Sequence, residues 1–181
     1  MKPISAAIAI TAALAGVGIG NSYAATSADP NEPVKTALLA ALDDEYRAEA
    51  TYQAVLDKHG EVRPFSNIIL AEQRHQQMAK AELDRRGWAY GANPYSGKIK
   101  APATLLEACQ IGAQAEVENI ALYDRLLPTV DDAAARELLT KLQWASRENH
   151  LPAFERCVAR GGTPGRGPDG GGGEGGRHDG W

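Results

Sequence analysis

EYRAEATY at 45–52, followed by AEQRH at 71–75, decides the fold, because the same pattern returns as EVENIALY at 116–123 and SRENH at 146–150. In each half a glutamate (Glu45, Glu116) precedes a tyrosine (Tyr52, Tyr123) by seven residues, and a histidine (His75, His150) follows one helix later. Seven residues are close to two α-helical turns, so each Glu and Tyr share a face. Glu72 and His75, at i and i+3, share one as well. Two glutamates plus two Glu-x-x-His pairs are what a four-helix bundle uses to hold two metal ions in its core. Glu45, Glu72, His75, Glu116 and His150 fit that set, and Arg147 stands where the sixth ligand is expected.

Working outward, four helical stripes are legible, over about 33–58, 64–86, 102–127 and 131–160. Pro33 suits the first turn of helix 1, and Asp131 reads as the N-cap of helix 4. The inward stripes run through Leu38, Leu42, Glu45, Tyr52 and Leu56, then Phe65, Ile69, Glu72, His75, Ala79 and Leu83. They continue through Cys109, Gly112, Glu116 and Tyr123, then Leu139, Leu142, Ser146, His150 and Cys157. Helices 1 and 2, and helices 3 and 4, are joined by short loops that imply antiparallel hairpins. Residues 88–101, rich in Gly, Asn, Pro and Tyr, are long enough to cross the bundle. The fold class expected is therefore all-α: two helix hairpins joined by one long crossover.

Charged groups interrupt these apolar stripes at one level. Burying carboxylates and imidazoles without a partner is costly, and a divalent cation removes the mutual repulsion of three glutamates. Oxygen and imidazole ligands without thiolate suit iron, manganese or zinc. Tyr52 and Tyr123 either hydrogen-bond the ligand carboxylates or fill the core. Glu49, one turn after Glu45, is a reserve ligand, whereas Glu148 and Glu118 point away from the ligand face. Arg147 has no lone pair to offer a metal. It pairs with a core glutamate and leaves one ion, or swings outward from a lopsided two-ion site, or replaces the cation altogether. Pro152 bends helix 4 beside His150, as a kink or a π-bulge.

The ends differ from the middle. Met1-Lys2, an apolar run over 4–20 and Ser22-Tyr23-Ala24 read as a signal peptide over 1–24, with a linker over 25–33. Export places the protein in the periplasm or outside the cell, with no membrane span after cleavage; an uncleaved anchor is the alternative. Cys109 lies seven residues before Glu116, and Cys157 seven after His150. On antiparallel helices both thiols then meet about 10 Å from the ligand layer, so a disulfide is expected in an oxidising compartment. Residues 161–181 hold eleven glycines and read as a solvated, disordered tail in which His178 is no ligand. The net charge of −4 shows no basic patch, which argues against nucleic acid as partner.

These segments, over about 34–158, resemble the ferritin-like superfamily, and within it a prokaryotic ferritin-like domain family of unknown function. That family's pattern has Glu-x-x-Ala, then Glu-x-x-His, then a Glu, then Ser-x-Asn-His-Leu-x-x-Phe, matched here by SRENHLPAF at 146–154 with one residue added. The resemblance implies a carboxylate-bridged di-iron centre in which iron reacts with oxygen or peroxide. It also implies an external electron donor, since the chain carries no Cys-x-x-Cys module. A metal-buffering protein and an interaction domain with a degenerate site are the rival expectations.

Overall fold

The computed structural model describes residues 29–163, so the signal peptide, most of the linker, most of the glycine-rich tail and His178 lie outside it. Among the described residues the chain is all-helical and forms a four-helix bundle. Helix α1 spans Glu32–His59 and α2 spans Phe65–Arg85, packed side by side as the first hairpin. Gly60 ends α1 with a φ of 79° and an N–H bonded to the Leu56 carbonyl, a conformation that needs glycine.

Helix α3 spans Leu105–Leu126 and begins three residues later than the sequence suggests. The reason is a capping box: the Glu107 N–H donates to Thr104 Oγ1 at 3.2 Å, and the Thr104 N–H donates to Glu107 Oε2 at 3.1 Å. A 3₁₀ turn at Leu127–Thr129 leads to α4, Ala133–Ala145. Its N-cap is Asp132, not Asp131: Asp132 Oδ1 accepts the Ala135 N–H at 2.9 Å. After α4 the chain makes a π turn at Ser146–His150 and continues as α5, Leu151–Ala159, which lies along α3. Pro152 has no N–H to bond back into the π turn, and it stands in the first turn of α5, where a missing donor is tolerated.

The crossover between the hairpins is pinned to α1. Tyr46 Oη donates to the Gly91 carbonyl at 2.9 Å, and Asn93 Nδ2 donates to the Tyr46 carbonyl at 2.9 Å.

Two apolar clusters fill the bundle, one at each end. One gathers Leu38, Leu42, Ala79, Leu83, Tyr123, Leu139 and Leu142. The other gathers Tyr52, Val55, Phe65, Ile69, Phe154 and the two cysteines. There the Tyr52, Phe65 and Phe154 rings meet at centroid distances of 5.2–5.7 Å. Gly112 lets α3 approach this cluster, since a Cβ there would lie 2.5 Å from the Phe154 ring. Cys109 and Cys157 are joined by a disulfide that ties α3 to α5. Between the two clusters lies a single polar layer.

Candidate metal centre

The polar layer consists of Glu45, Glu72, His75, Glu116 and His150, all buried. Each helix of the bundle supplies at least one of them at a position its apolar stripe fixes. They form two groups of three, Glu45–Glu72–His75 and Glu72–Glu116–His150, with the ligand atoms of each group within 4.8 Å of one another. Glu72 belongs to both. Its Oε2 lies 3.1 Å from His75 Nδ1, and its Oε1 lies 3.1 Å from His150 Nδ1. The two imidazoles stack at 5.6 Å.

Each tyrosine holds the glutamate of the opposite hairpin. Tyr52 Oη donates to Glu116 Oε1 at 2.7 Å, and Tyr123 Oη donates to Glu45 Oε1 at 3.0 Å. That leaves one oxygen of each carboxylate facing its histidine: Glu45 Oε2 at 3.3 Å from His75, and Glu116 Oε2 at 3.5 Å from His150.

His150 Nδ1 decides how the layer reads. It is buried and makes no hydrogen bond, although Glu72 Oε1 is 3.1 Å away. While the ring carries a proton these contacts with Glu72 and Glu116 are ion pairs; once a cation displaces that proton, the nitrogen and the carboxylate oxygens converge as donors on one point. A buried polar atom left unpaired is costly unless something else occupies its lone pair. The Glu/His cluster therefore fits a metal ion, and by geometry it offers places for two.

Titration follows from the same crowding. Burial, and then the neighbouring Glu72, hold Glu45 well above the usual carboxylate value, and burial raises Glu116. Burial would raise Glu72 too, but His150 beside it and its hydrogen-bonding neighbours pull it well below that value. Burial works to lower both imidazoles, yet the carboxylates outweigh it and bring His75 to about 9 and His150 to about 10. Without metal the carboxylates thus favour the protonated form of both rings, and that protonation stabilises the fold. That contribution is complete below the ordinary value of 6.5 and is lost as pH rises through about 9 and about 10. Metal uptake has the opposite slope, because an ion displaces the proton of the histidine it binds. We expect the apparent affinity of each ion to rise about tenfold per pH unit from neutrality to pH 9. Calorimetry in buffers of different ionisation enthalpy should count one histidine proton released per ion, and a pH-independent affinity would contradict the assignment.

Arg147 is exposed and lies outside the layer, with Nη2 3.5 Å from Asp124 Oδ1. Of the three arrangements its chemistry allowed, the outward one is found, so Arg147 touches none of the core glutamates. The π turn explains this. In an α-helix, residues three and four before His150 flank its face almost equally. At roughly 4.4 residues per turn the third drifts to about 115° away and the fourth stays within about 35°. Ser146 therefore faces the core, with 5 % of its surface exposed, and Arg147 does not. Arg147→Ala should leave the ion count unchanged and alter stability by less than about 0.5 kcal/mol, as an exposed pair does; elemental analysis and thermal unfolding check both.

Glu49 stands outside both ligand groups: its carboxylate accepts from Gln73 at 3.1 Å and Gln76 at 2.8 Å on α2, and from Asn93 of the crossover at 3.2 Å. Glu118 and Glu148 are exposed, as their spacing predicts. Three residues that the stripe reading gave no role lie beside the layer. Ser146 Oγ donates to Asn119 Oδ1 at 2.7 Å, and Asn119 Nδ2 donates to Asp44, which also pairs with Arg47. Asn119 was findable, being three residues after Glu116 on the same face. Asp44 reads in sequence as one more solvated acid in Asp43-Asp44-Glu45.

No family model matches this chain, and no curated protein matches it. Two solved structures are similar to it. The hypothetical protein MJ0754 from Methanococcus jannaschii aligns over 72% of this chain and 82% of its own, with a TM-score of 0.64 and 21% identity. A conserved hypothetical protein, rv2844, from Mycobacterium tuberculosis aligns over 72% and 94%, with a TM-score of 0.59 and 14% identity. At such identities the likeness is one of fold.

Proposed function

We propose that this chain is an exported ferritin-like protein that holds two divalent ions, iron foremost, and performs redox chemistry on peroxide or dioxygen. The observation that carries the reading is the pair of buried Glu/His groups that share Glu72, with a histidine Nδ1 3.1 Å from each of its oxygens. Glu45, Glu72 and His75 would hold one ion; Glu72, Glu116 and His150 the other. Bound iron would supply the electrons for reduction of the oxygen species. The protein's own part is to orient Glu45 and Glu116 through Tyr123 and Tyr52, to close the layer above and below with the two apolar clusters, and to release the histidine protons. Manganese or zinc suits the same donors. A buried disulfide supports an oxidising compartment and hence export. An electron donor for turnover would be a separate protein.

One observation favours a rival. With both histidines charged, the metal-free layer offsets two of its three carboxylates from within, which suits an interaction domain that has lost its metal. Anaerobic loading of the purified protein with Fe(II), followed by elemental analysis, separates the readings. Two irons per chain are expected, and oxidation by peroxide should then follow. One iron, or two without turnover, would indicate a buffering protein. None, with manganese and zinc also unbound, would sink the metal reading.

A further inference from the structure

A cavity of about 160 Å³ lies between α1 and α3. It opens to solvent beside Arg47 and Glu118 and ends on the carboxylates of Glu45, Glu72 and Glu116, while neither histidine lines it. At about 30 Å³ per water, it holds some five waters, or one molecule of a few heavy atoms. Its polar wall is the line Ser146, Asn119, Asp44.

The direction of the hydrogen bonds along that wall is fixed. Ser146 gives its only proton to Asn119 Oδ1, Asn119 gives an amide proton to Asp44, and Arg47 holds the other Asp44 oxygen. A hydroxyl has one proton and two lone pairs. Ser146 therefore presents only acceptor capacity to the cavity, one residue before the position where a sixth carboxylate is expected. Arg47 offsets Asp44 at the mouth, and Glu118 leaves the path with net negative charge, which opposes an incoming anion. Three carboxylates against two divalent ions leave positive charge in the layer, which favours a ligand able to release a proton once there.

We infer that this shaft is the binding site for an uncharged, protic small molecule of the peroxide type, and that Ser146, held by Asn119 and Asp44, accepts its O–H. The inference rests on the metal reading and narrows its substrate class: peroxide is preferred to dioxygen, which has no proton to donate, and to small anions. Asn119 and Asp44 act as positioning residues through Ser146.

The test uses the full chain loaded with Co(II), whose visible absorption reports its ligands without turnover. Hydroxylamine, uncharged above neutral pH and the size of hydrogen peroxide, is the protic probe; azide is the anionic, proton-free one. Hydroxylamine should shift the cobalt bands at lower concentration than azide. Ser146→Ala should weaken hydroxylamine about tenfold, the effect of one hydrogen bond, and leave azide unchanged. Ser146→Thr, which keeps the hydroxyl, should retain the preference, and Ala115→Leu, which fills the shaft, should slow both probes. Cobalt bands that azide shifts more readily than hydroxylamine, or a Ser146→Ala protein with unaltered hydroxylamine binding, would overturn the inference and leave the metal centre standing. Absence of any cobalt band would overturn both.

Discussion

Glu72→Gln should abolish binding of both ions, whereas Glu45→Gln should cost only one. Glu72 alone belongs to both ligand groups, with one oxygen 3.1 Å from each histidine. An amide offers a single, weakly basic oxygen in place of a bridging carboxylate. Loss of even an outer partner of a ligand typically costs about 10–100-fold in metal affinity, so loss of the bridge should cost each ion at least about a hundredfold. The substitution also removes the counter-charge of two imidazolium rings in the metal-free state. His75 and His150 should then titrate nearer to neutrality, which NMR of the ring protons would record. Elemental analysis after Fe(II) loading gives the stoichiometry directly. A Glu72→Gln protein that still carries two irons would show that the two groups are independent sites.

The second large effect is on stability. Replacing Cys109 and Cys157 together by alanine should destabilise the bundle by about 4 kcal/mol, the loop-closure contribution for a cross-link spanning 48 residues. For a domain of this size, that corresponds to a fall in Tm of roughly 10–20 °C. Both cysteines are fully buried in the cluster around Phe154, so the bridge also keeps the start of α3 against α5. The layer lies about two helical turns away, and the variant should still bind the same number of ions below its melting temperature. A loss under about 1 kcal/mol would mean that packing around Phe154 alone holds this end.

The architecture was legible because two independent signals agreed. The Glu–Tyr–His pattern repeats, and the loop lengths alternate short, long, short; either alone would have left the topology open. The positions of Glu45, Glu72, His75, Glu116 and His150 followed from stripes in which a charged residue replaces an apolar one. What the sequence hid was local geometry. Counting in α-helical steps puts both Ser146 and Arg147 near the face of His150, and only a π turn moves Arg147 off it while Ser146 stays inward. Glu49 obeys the same periodicity as a ligand would, yet three amides from α2 and the crossover claim it, and no spacing within α1 reports that. The start of α3 is set not by periodicity but by the Thr104–Glu107 box, a local bond pair that stops the helix short of residue 102.

The exchanged tyrosine bonds carry a consequence for how the molecule is built. Tyr52 reaches from the first hairpin to a glutamate of the second, and Tyr123 reaches back the other way. The molecule thus behaves as a dimer of hairpins written on one strand of peptide, each reaching across the ligand layer to the other. Neither half contains a finished half-site, for each lacks the hydroxyl that steadies its own carboxylate. Assembly of the bundle and completion of the centre are therefore one event, and a hairpin separated from its mate keeps its ligands without the means to aim them.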